Sequence, residues 1–185
     1  MLTMSHISMA KNTLHFLEIH NIDILNRKAF IYGNTKPDCL FQKTPKKHLE
    51  LEALDFIIEE IENFNYDYDS KEMSIKLGVI CHYLCDFFCL PHFERWSACH
   101  MSKKVVQTPR HLNYERMLNS YTSYAVLDYN EITDLRVFIN ECKLEYIKEK
   151  SFKNDIKYAS IVCNSVMLYI LKSKELDNIK HNNIA

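Results

Sequence analysis

His82 and Asp86 interrupt an almost wholly apolar stretch between Leu77 and His92. They are four residues apart, so on a helix they lie on one face, one turn from each other. A carboxylate or an imidazole among apolar side chains is costly unless it is paired or holds a metal ion. A buried hydrogen bond between the two side chains explains the pair as well as a metal does, because single histidines on helix faces are usually structural.

Other histidines and carboxylates along the chain favour the metal. His111 and Glu115 repeat the four-residue spacing, and His92 directly follows Pro91, where a long helix should end or kink. Imidazoles and carboxylates are ligands that suit Zn²⁺. The complete set of candidates, in chain order, is His6, Asp38, His48, His82, Asp86, His92, His111 and Glu115. Their position between apolar helices predicts a multinuclear metal site inside an all-helical fold.

The composition indicates one globular, helix-rich domain over residues 1–185. Apolar residues make up 47% of the chain and the net charge is −1, so neither sign of charge argues for nucleic acid or for an anionic membrane. There are only two glycines and four prolines, which favours long helices with few tight turns.

The cysteines and the first residues give an expectation about the cell compartment. Seven cysteines without a CxxC pair are typical of small buried thiols in a reducing cytosol, rather than of disulfides or a thiolate zinc site. Residues 1–6 lack the basic and apolar regions of a secretory signal. No uncharged apolar run reaches membrane-spanning length. We therefore expect a cytoplasmic protein without a transmembrane segment.

Hydrophobic periodicity predicts the elements that must position the candidate residues. The predicted helices cover residues 5–20, 45–64, 70–90, 111–125, 131–149 and 152–173. Residues 27–33 form a short apolar element, and a turn-rich loop follows over residues 34–39 around Pro37. Residues 93–110 are less regular, and we expect the polar tail over residues 173–185 to fray. The last two helices hold no convincing polar cluster, so we expect them to be packing scaffold.

In chain order, the candidate residues form motifs that match a known family. The motifs are Ser5-His6, Gly33-x3-Pro37-Asp38, His48 at the start of a helix, Leu77-Gly78-x3-His82-Tyr83-x2-Asp86-Phe87-x3-Pro91-His92, and His111-x3-Glu115. The chain resembles the zinc-dependent phospholipases C, whose distant relatives are the S1/P1-type nucleases. The resemblance is strongest over residues 1–120. It implies an all-α, single-domain helical bundle of the zinc-dependent phospholipase C and P1 nuclease type.

The resemblance also implies two to three Zn²⁺ ions per chain and a ligand set for each. By similarity, the first ion would be held by Asp38, His48, His82 and Asp86. Asp86 would bridge to another ion, which also takes His6 and the amine and carbonyl of Met1. The third ion would be held by His92, His111 and Glu115. A Glu at this last position resembles the phospholipases more than the nucleases, which have Asp there.

The beginning of the chain departs from the family pattern. Family enzymes are usually secreted and begin with Trp after processing, whereas this chain begins with Met1. Met1 lies five residues before His6, a reach similar to that in the nucleases, and the bulky Leu2 should keep the initiator Met in place. We therefore expect the Met1 amine itself to ligate zinc.

The chemistry that such a site implies is hydrolysis of a phosphate ester, and most concretely of a phosphodiester. Three Zn²⁺ ions, offset by three carboxylates and a bridging hydroxide, would leave a charge of about +2 that attracts phosphate. Two metals lower the pKa of the water between them, and the resulting hydroxide would attack phosphorus. The catalytic candidates are Asp38, by resemblance a general base, and Asp86, the bridging ligand.

Three alternatives stay open from the sequence. One is an S1/P1-like nuclease or nucleotidase with the same metal chemistry. A second is a zinc-stabilised protein that binds a partner without turnover, and a third is a hydrolase of a non-phosphate bond such as an amide or thioester. We expect a phosphate-ester substrate that is a lipid, a nucleotide or carrier-linked, and no stable complex with nucleic acid. The sequence leaves the oligomeric state open.

Overall fold

The computed structural model describes residues 1–22, 25–39, 52–97 and 109–182, and their regular structure is helical. The α-helices are α1 (Thr3–Ile19), α2 (Arg27–Cys39), α3 (Glu52–Glu62), α4 (Ser70–Phe87), α5 (Leu90–Ser97), α6 (Pro109–Asn119), α7 (Leu135–Tyr146) and α8 (Phe152–Asn182). A short 3₁₀ helix, Thr122–Tyr124, lies between α6 and α7. No β-strand occurs in these residues, so the predicted all-α fold is confirmed. None of the helices searched in the described part of the chain has the length and apolar character needed to cross a membrane.

Helix α4 lies at the centre of the bundle and contacts α1, α2, α3, α5 and α8. Leu77 and Leu84 of α4 and Met167 of α8 have no exposed surface and belong to one hydrophobic core. Burying a side chain of this size stabilises the fold by about 1.5 to 3 kcal/mol. The core therefore anchors α4, the helix that carries His82 and Asp86.

Two glycines allow α2 and α4 to cross with their backbones in contact. A Cβ atom on Gly33 would lie 2.2 Å from the carbonyl oxygen of Ile75, and one on Gly78 would lie 2.2 Å from the carbonyl oxygen of Phe30. Non-bonded atoms do not approach so closely in a packed interior, so a larger residue at either position would push the helices apart. The contact fixes the position of Asp38, near the end of α2, relative to α4.

The predicted loop over residues 34–39 is wrong, because α2 continues as a helix to Cys39. Pro37 lies inside this helix, where it removes a backbone hydrogen bond and would normally cause a kink or an end. Packing against α4 overrides that local preference, as the burial of Asn34 and Thr35 indicates. Asp38 is therefore presented by a helix rather than by a loop.

Three other predicted boundaries also change. The helix predicted over residues 70–90 ends at Phe87, and a separate helix, α5, begins at Leu90. Pro91 lies in the first turn of α5, a position that proline favours. Helix α6 ends at Asn119 rather than at residue 125. Helix α8, predicted over residues 152–173, continues to Asn182, because each added residue extends an existing helix by one hydrogen bond.

The helix predicted over residues 45–64 is described only in part. Helix α3 confirms it over Glu52–Glu62. Residues 40–51, which include the candidate ligand His48, lie outside the described residues. The helices predicted over residues 5–20 and 131–149 agree in position with α1 and α7.

The substitution Gly78→Ala tests the crossing of α2 and α4. We expect it to lower the free energy of unfolding by about 1 to 3 kcal/mol, because the added methyl group overpacks the contact. This loss should appear although alanine favours a helix by about 1 kcal/mol over glycine. Urea unfolding followed by circular dichroism measures it.

Lys71→Ala, on the exposed surface of the same helix, is the control and should change stability by less than about 0.5 kcal/mol. A Gly78→Ala protein as stable as the wild type would contradict the close crossing.

Candidate metal centre

The candidate ligands in the described part of the chain lie together at one site. Helices α1, α2 and α4 supply His6, Asp38, His82 and Asp86, and α5 and α6 supply His92, His111 and Glu115. The nitrogen of Met1 lies among them. His48, the remaining predicted ligand, falls outside the described residues. The candidates form two adjoining groups, and residues of the two groups are up to about a hundred positions apart in sequence.

The first group, the Asp86 cluster, contains His6, Asp38, His82 and Asp86. The two oxygens of Asp86 face different imidazoles: Oδ1 lies 3.4 Å from Nε2 of His6, and Oδ2 lies 3.4 Å from Nε2 of His82. Asp38 approaches the same nitrogens, at 4.0 Å from His6 and 3.8 Å from His82. These separations exceed the usual hydrogen-bond distance of about 2.7 to 3.2 Å. The candidate ligand atoms therefore face one another, but His82 and Asp86 are farther apart than they would be in a purely structural hydrogen bond.

The second group, the Glu115 cluster, contains His92, His111 and Glu115. The Nε2 atoms of His92 and His111 both lie 2.9 Å from Oε1 of Glu115. The two rings are tilted against each other with centroids 4.9 Å apart. Glu115 is 2% exposed, so one buried carboxylate oxygen faces two imidazoles.

The Met1 nitrogen connects the two clusters. It forms an ion pair with Oδ1 of Asp86 and lies 3.2 Å from Oε1 of Glu115 and 3.3 Å from Nε2 of His92. Burial by itself lowers the pKa of this amino group, but the attraction of the Asp86 and Glu115 carboxylates outweighs burial and raises the pKa well above its usual value. The protonated amine therefore offsets the negative charge of both carboxylates, and it would have to lose its proton to ligate a metal.

Burial and mutual attraction set the protonation of the other groups. Burial lowers the pKa of His82 and His92, so their imidazoles are neutral at pH 7. Burial would raise the pKa of Asp86 and Glu115, but the nearby imidazoles and the amino group hold the pKa of each below its usual range. Neutral imidazoles and ionised carboxylates are the forms in which these side chains bind metal ions.

The histidines of the Asp86 cluster fit a metal ion. His6 has no exposed surface, and neither of its ring nitrogens has a hydrogen-bond partner in the described part of the chain. An unsatisfied buried group of this kind costs about 1 to 3 kcal/mol, which a bound cation would offset. His82 donates a hydrogen bond from Nδ1 to the carbonyl oxygen of Asn34 at 2.8 Å, which turns its Nε2 toward Asp38 and Asp86. Metal-binding histidines are commonly oriented in this way, and the donor set suits Zn²⁺.

Cys89 is a possible donor that sequence reasoning missed. Its Sγ lies within 4.8 Å of the ligand atoms of His92 and Glu115. The signal in the sequence was its spacing of three residues from both Asp86 and His92, because residues three apart lie on the same face of a helix. Burial raises the pKa of the Cys89 thiol well above its usual value, so the thiol is protonated and a weaker donor than the imidazoles.

Three other cysteines form a separate buried group. The Sγ atom of Cys163 in α8 lies 3.4 Å from that of Cys81 and 3.5 Å from that of Cys85, both in α4. Among the described residues, the free and buried cysteines are Cys81, Cys85, Cys89, Cys142 and Cys163. They agree with the prediction of small buried thiols, and the contact joins α4 to α8.

An α-helical bundle that gathers imidazoles and carboxylates into two adjoining buried clusters is typical of a protein that could hold metal ions there. A family model described as zinc-dependent phospholipase C matches residues 5–164. The chain therefore belongs to the zinc-dependent phospholipase C family and is, at the level of the family, a zinc-dependent phospholipase C-like hydrolase. Comparisons with curated proteins and with solved structures found no match.

Replacement of the carboxylate shared by the imidazoles tests the site. We expect Asp86→Asn to lose at least one zinc ion per chain relative to the wild type, because the amide removes a charge and one of two ligand oxygens. Metal content is measured by mass spectrometry on protein purified without chelator. The control Asp67→Asn makes the same chemical change at an exposed carboxylate and should keep the wild-type content. Equal zinc content in all three proteins would contradict the assignment.

Proposed function

We propose that this protein hydrolyses phosphodiesters with zinc ions bound at the Asp86 and Glu115 clusters. The observation that carries the proposal is the Asp86 carboxylate, whose two oxygens face His6 and His82 at 3.4 Å while its Oδ1 also lies 3.8 Å from Nε2 of His92. A carboxylate in this position is suited to bridge two cations, and bridged cations a few ångström apart are the arrangement that phosphoester hydrolysis uses.

The proposed ligands divide between the clusters. In the Asp86 cluster they are His6, Asp38, His82 and Asp86, to which His48 would be added from outside the described residues. In the Glu115 cluster they are His92, His111 and Glu115. The whole set accommodates two to three Zn²⁺ ions per chain, with Met1 as a further ligand between the clusters.

Zinc ions held by these residues would supply a water of lowered pKa and positive charge for the phosphate oxygens. Asp38 is the most exposed of the three carboxylates, at 30% against 14% for Asp86 and 2% for Glu115. Burial raises the pKa of Asp38 from its usual value, against an opposing attraction to His6. A partly exposed carboxylate in the cluster is the one that can reach both water and solvent, so we assign Asp38 as general base. The Thr3 hydroxyl lies 3.4 Å from Oδ2 of Asp38.

A pocket next to two helices of the Asp86 cluster, α2 and α4, is suited to a substrate with an apolar group. The pocket has a volume of about 410 Å³ and lies between α2, α3 and α4. Its lining is mainly apolar and aromatic and includes Pro37 and Tyr83, the chain neighbours of Asp38 and His82. Lys36 and Lys76 add two cations to it, and Glu60 adds one anion. An apolar pocket with a few polar groups favours the leaving group of a phospholipid-like diester.

Asp38→Asn tests the catalytic role. With a chromogenic diester, a short-chain phospholipid and single-stranded DNA as substrates, we expect the wild type to cleave a diester, the phospholipid fastest. The variant should lose about 10² to 10⁴ in kcat, because an amide cannot accept the proton. Asp67→Asn is the matched control and should retain full activity.

The substrate panel also separates the alternatives. Preferred cleavage of single-stranded DNA would indicate a nuclease. A wild-type protein that is loaded with zinc but cleaves no phosphate ester would contradict the proposed function and indicate a binding protein or a hydrolase of another bond.

A chain extended before Met1 tests the amine as a ligand. An added residue converts the amine to an amide, which is not basic enough to bind zinc, and it must enter a buried space, since Met1 is 4% exposed. We expect such a fusion to bind less zinc and to be less active than the chain that starts at Met1. A protease-cleavable extension gives the control, because removing it should restore both properties. Full zinc content and activity in the extended protein would contradict ligation by Met1.

A further inference from the structure

A buried carboxylate outside the metal centre, Asp155, binds the two helices that carry the Glu115 cluster. Asp155 lies near the start of α8 and has no exposed surface. Its Oδ2 accepts a hydrogen bond from the backbone N–H of Leu90 at 2.9 Å and another from the hydroxyl of Tyr114 at 3.0 Å. Its Oδ1 accepts a hydrogen bond from the hydroxyl of Tyr146 at 2.8 Å.

The two partners of Oδ2 are close in sequence to the ligands. Leu90 is the first residue of α5 and stands two residues before His92. Tyr114 lies in α6, immediately before Glu115 and three residues after His111. A single oxygen therefore restrains both helices on which the Glu115 cluster is built. The partner of Oδ1, Tyr146, belongs to α7, a helix with none of the candidate ligands.

The position of the carboxylate has a physical reason. The first N–H groups of a helix have no partner within the helix, and the positive end of the helix dipole lies there. A carboxylate aimed at Leu90 satisfies one of these groups and ties the start of α5 to α8. Because an unpaired carboxylate is costly in the interior, its three hydrogen bonds hold the surrounding helices to one geometry.

We propose that Asp155 is a positioning residue for the Glu115 cluster: it holds α5 and α6 at the spacing at which His92, His111 and Glu115 bind one zinc ion. The inference rests on the proposed function, but it concerns zinc affinity and can be measured without a substrate. Partners that orient metal ligands typically change metal affinity by about 10- to 100-fold when they are removed.

Two tyrosines on the same carboxylate provide a matched test. Tyr114→Phe and Tyr146→Phe each remove one hydroxyl that donates to Asp155, and both keep the aromatic ring. We expect Tyr114→Phe to weaken the affinity of one bound zinc ion about 10-fold and to leave the others unchanged. Tyr146→Phe should lower thermal stability but leave every zinc affinity unchanged. Competition with a chromophoric chelator measures the stepwise affinities, and thermal unfolding of the metal-free proteins measures stability.

His111→Ala identifies the affected zinc ion. This variant removes a ligand of the Glu115 cluster, so adding Tyr114→Phe to it should cause no further loss of zinc affinity. Asp155→Asn supplies a second route to the same result, because it removes the charge without changing the shape of the side chain and should weaken the same ion.

Equal zinc affinities in the wild type and Tyr114→Phe, or equal losses in the two tyrosine variants, would overturn the inference about Asp155 and leave the proposed function standing. A wild type that binds no zinc would overturn both.

Discussion

The site depends on the contacts of one buried carboxylate, that of Asp86. It lies among the Met1 amine, two histidines of other helices and His82 of its own helix. A charge buried in a helical core is costly unless groups of opposite charge or a metal surround it. The segments that carry these partners must therefore meet at Asp86. The other contacts of the site hold these segments in position around it.

Different constraints fix the different segments. The backbone contact at Gly33 and Gly78 sets α2 against α4, and the carbonyl oxygen of Asn34 orients His82 from that same helix. On the other side, the hydrogen bonds of Asp155 hold α5 and α6. The candidate ligand atoms thus sit on helices that packing and hydrogen bonds hold in place, and such preorganisation makes a metal site precise.

The sequence indicated which candidate residues would lie together better than it indicated the bounds of the helices that carry them. The pairs His82/Asp86 and His111/Glu115 were evident because the spacing of four is a local property of a helix. The helical course of α2 through Pro37 could not be predicted, because packing against α4 decides it and local preference opposes it. The contacts of Asp155 were equally hidden, since its partners lie 9, 41 and 65 residues away in sequence. His48 was predicted from the family pattern and stays a prediction.

Anomalous diffraction at the zinc absorption edge, from crystals of the zinc-loaded protein, would locate the bound ions directly. We expect zinc peaks in contact with Asp86 and its neighbouring imidazoles and a separate peak in contact with His92, His111 and Glu115. Zinc peaks absent from both clusters, or found only at the buried sulfurs of Cys81, Cys85 and Cys163, would contradict this expectation.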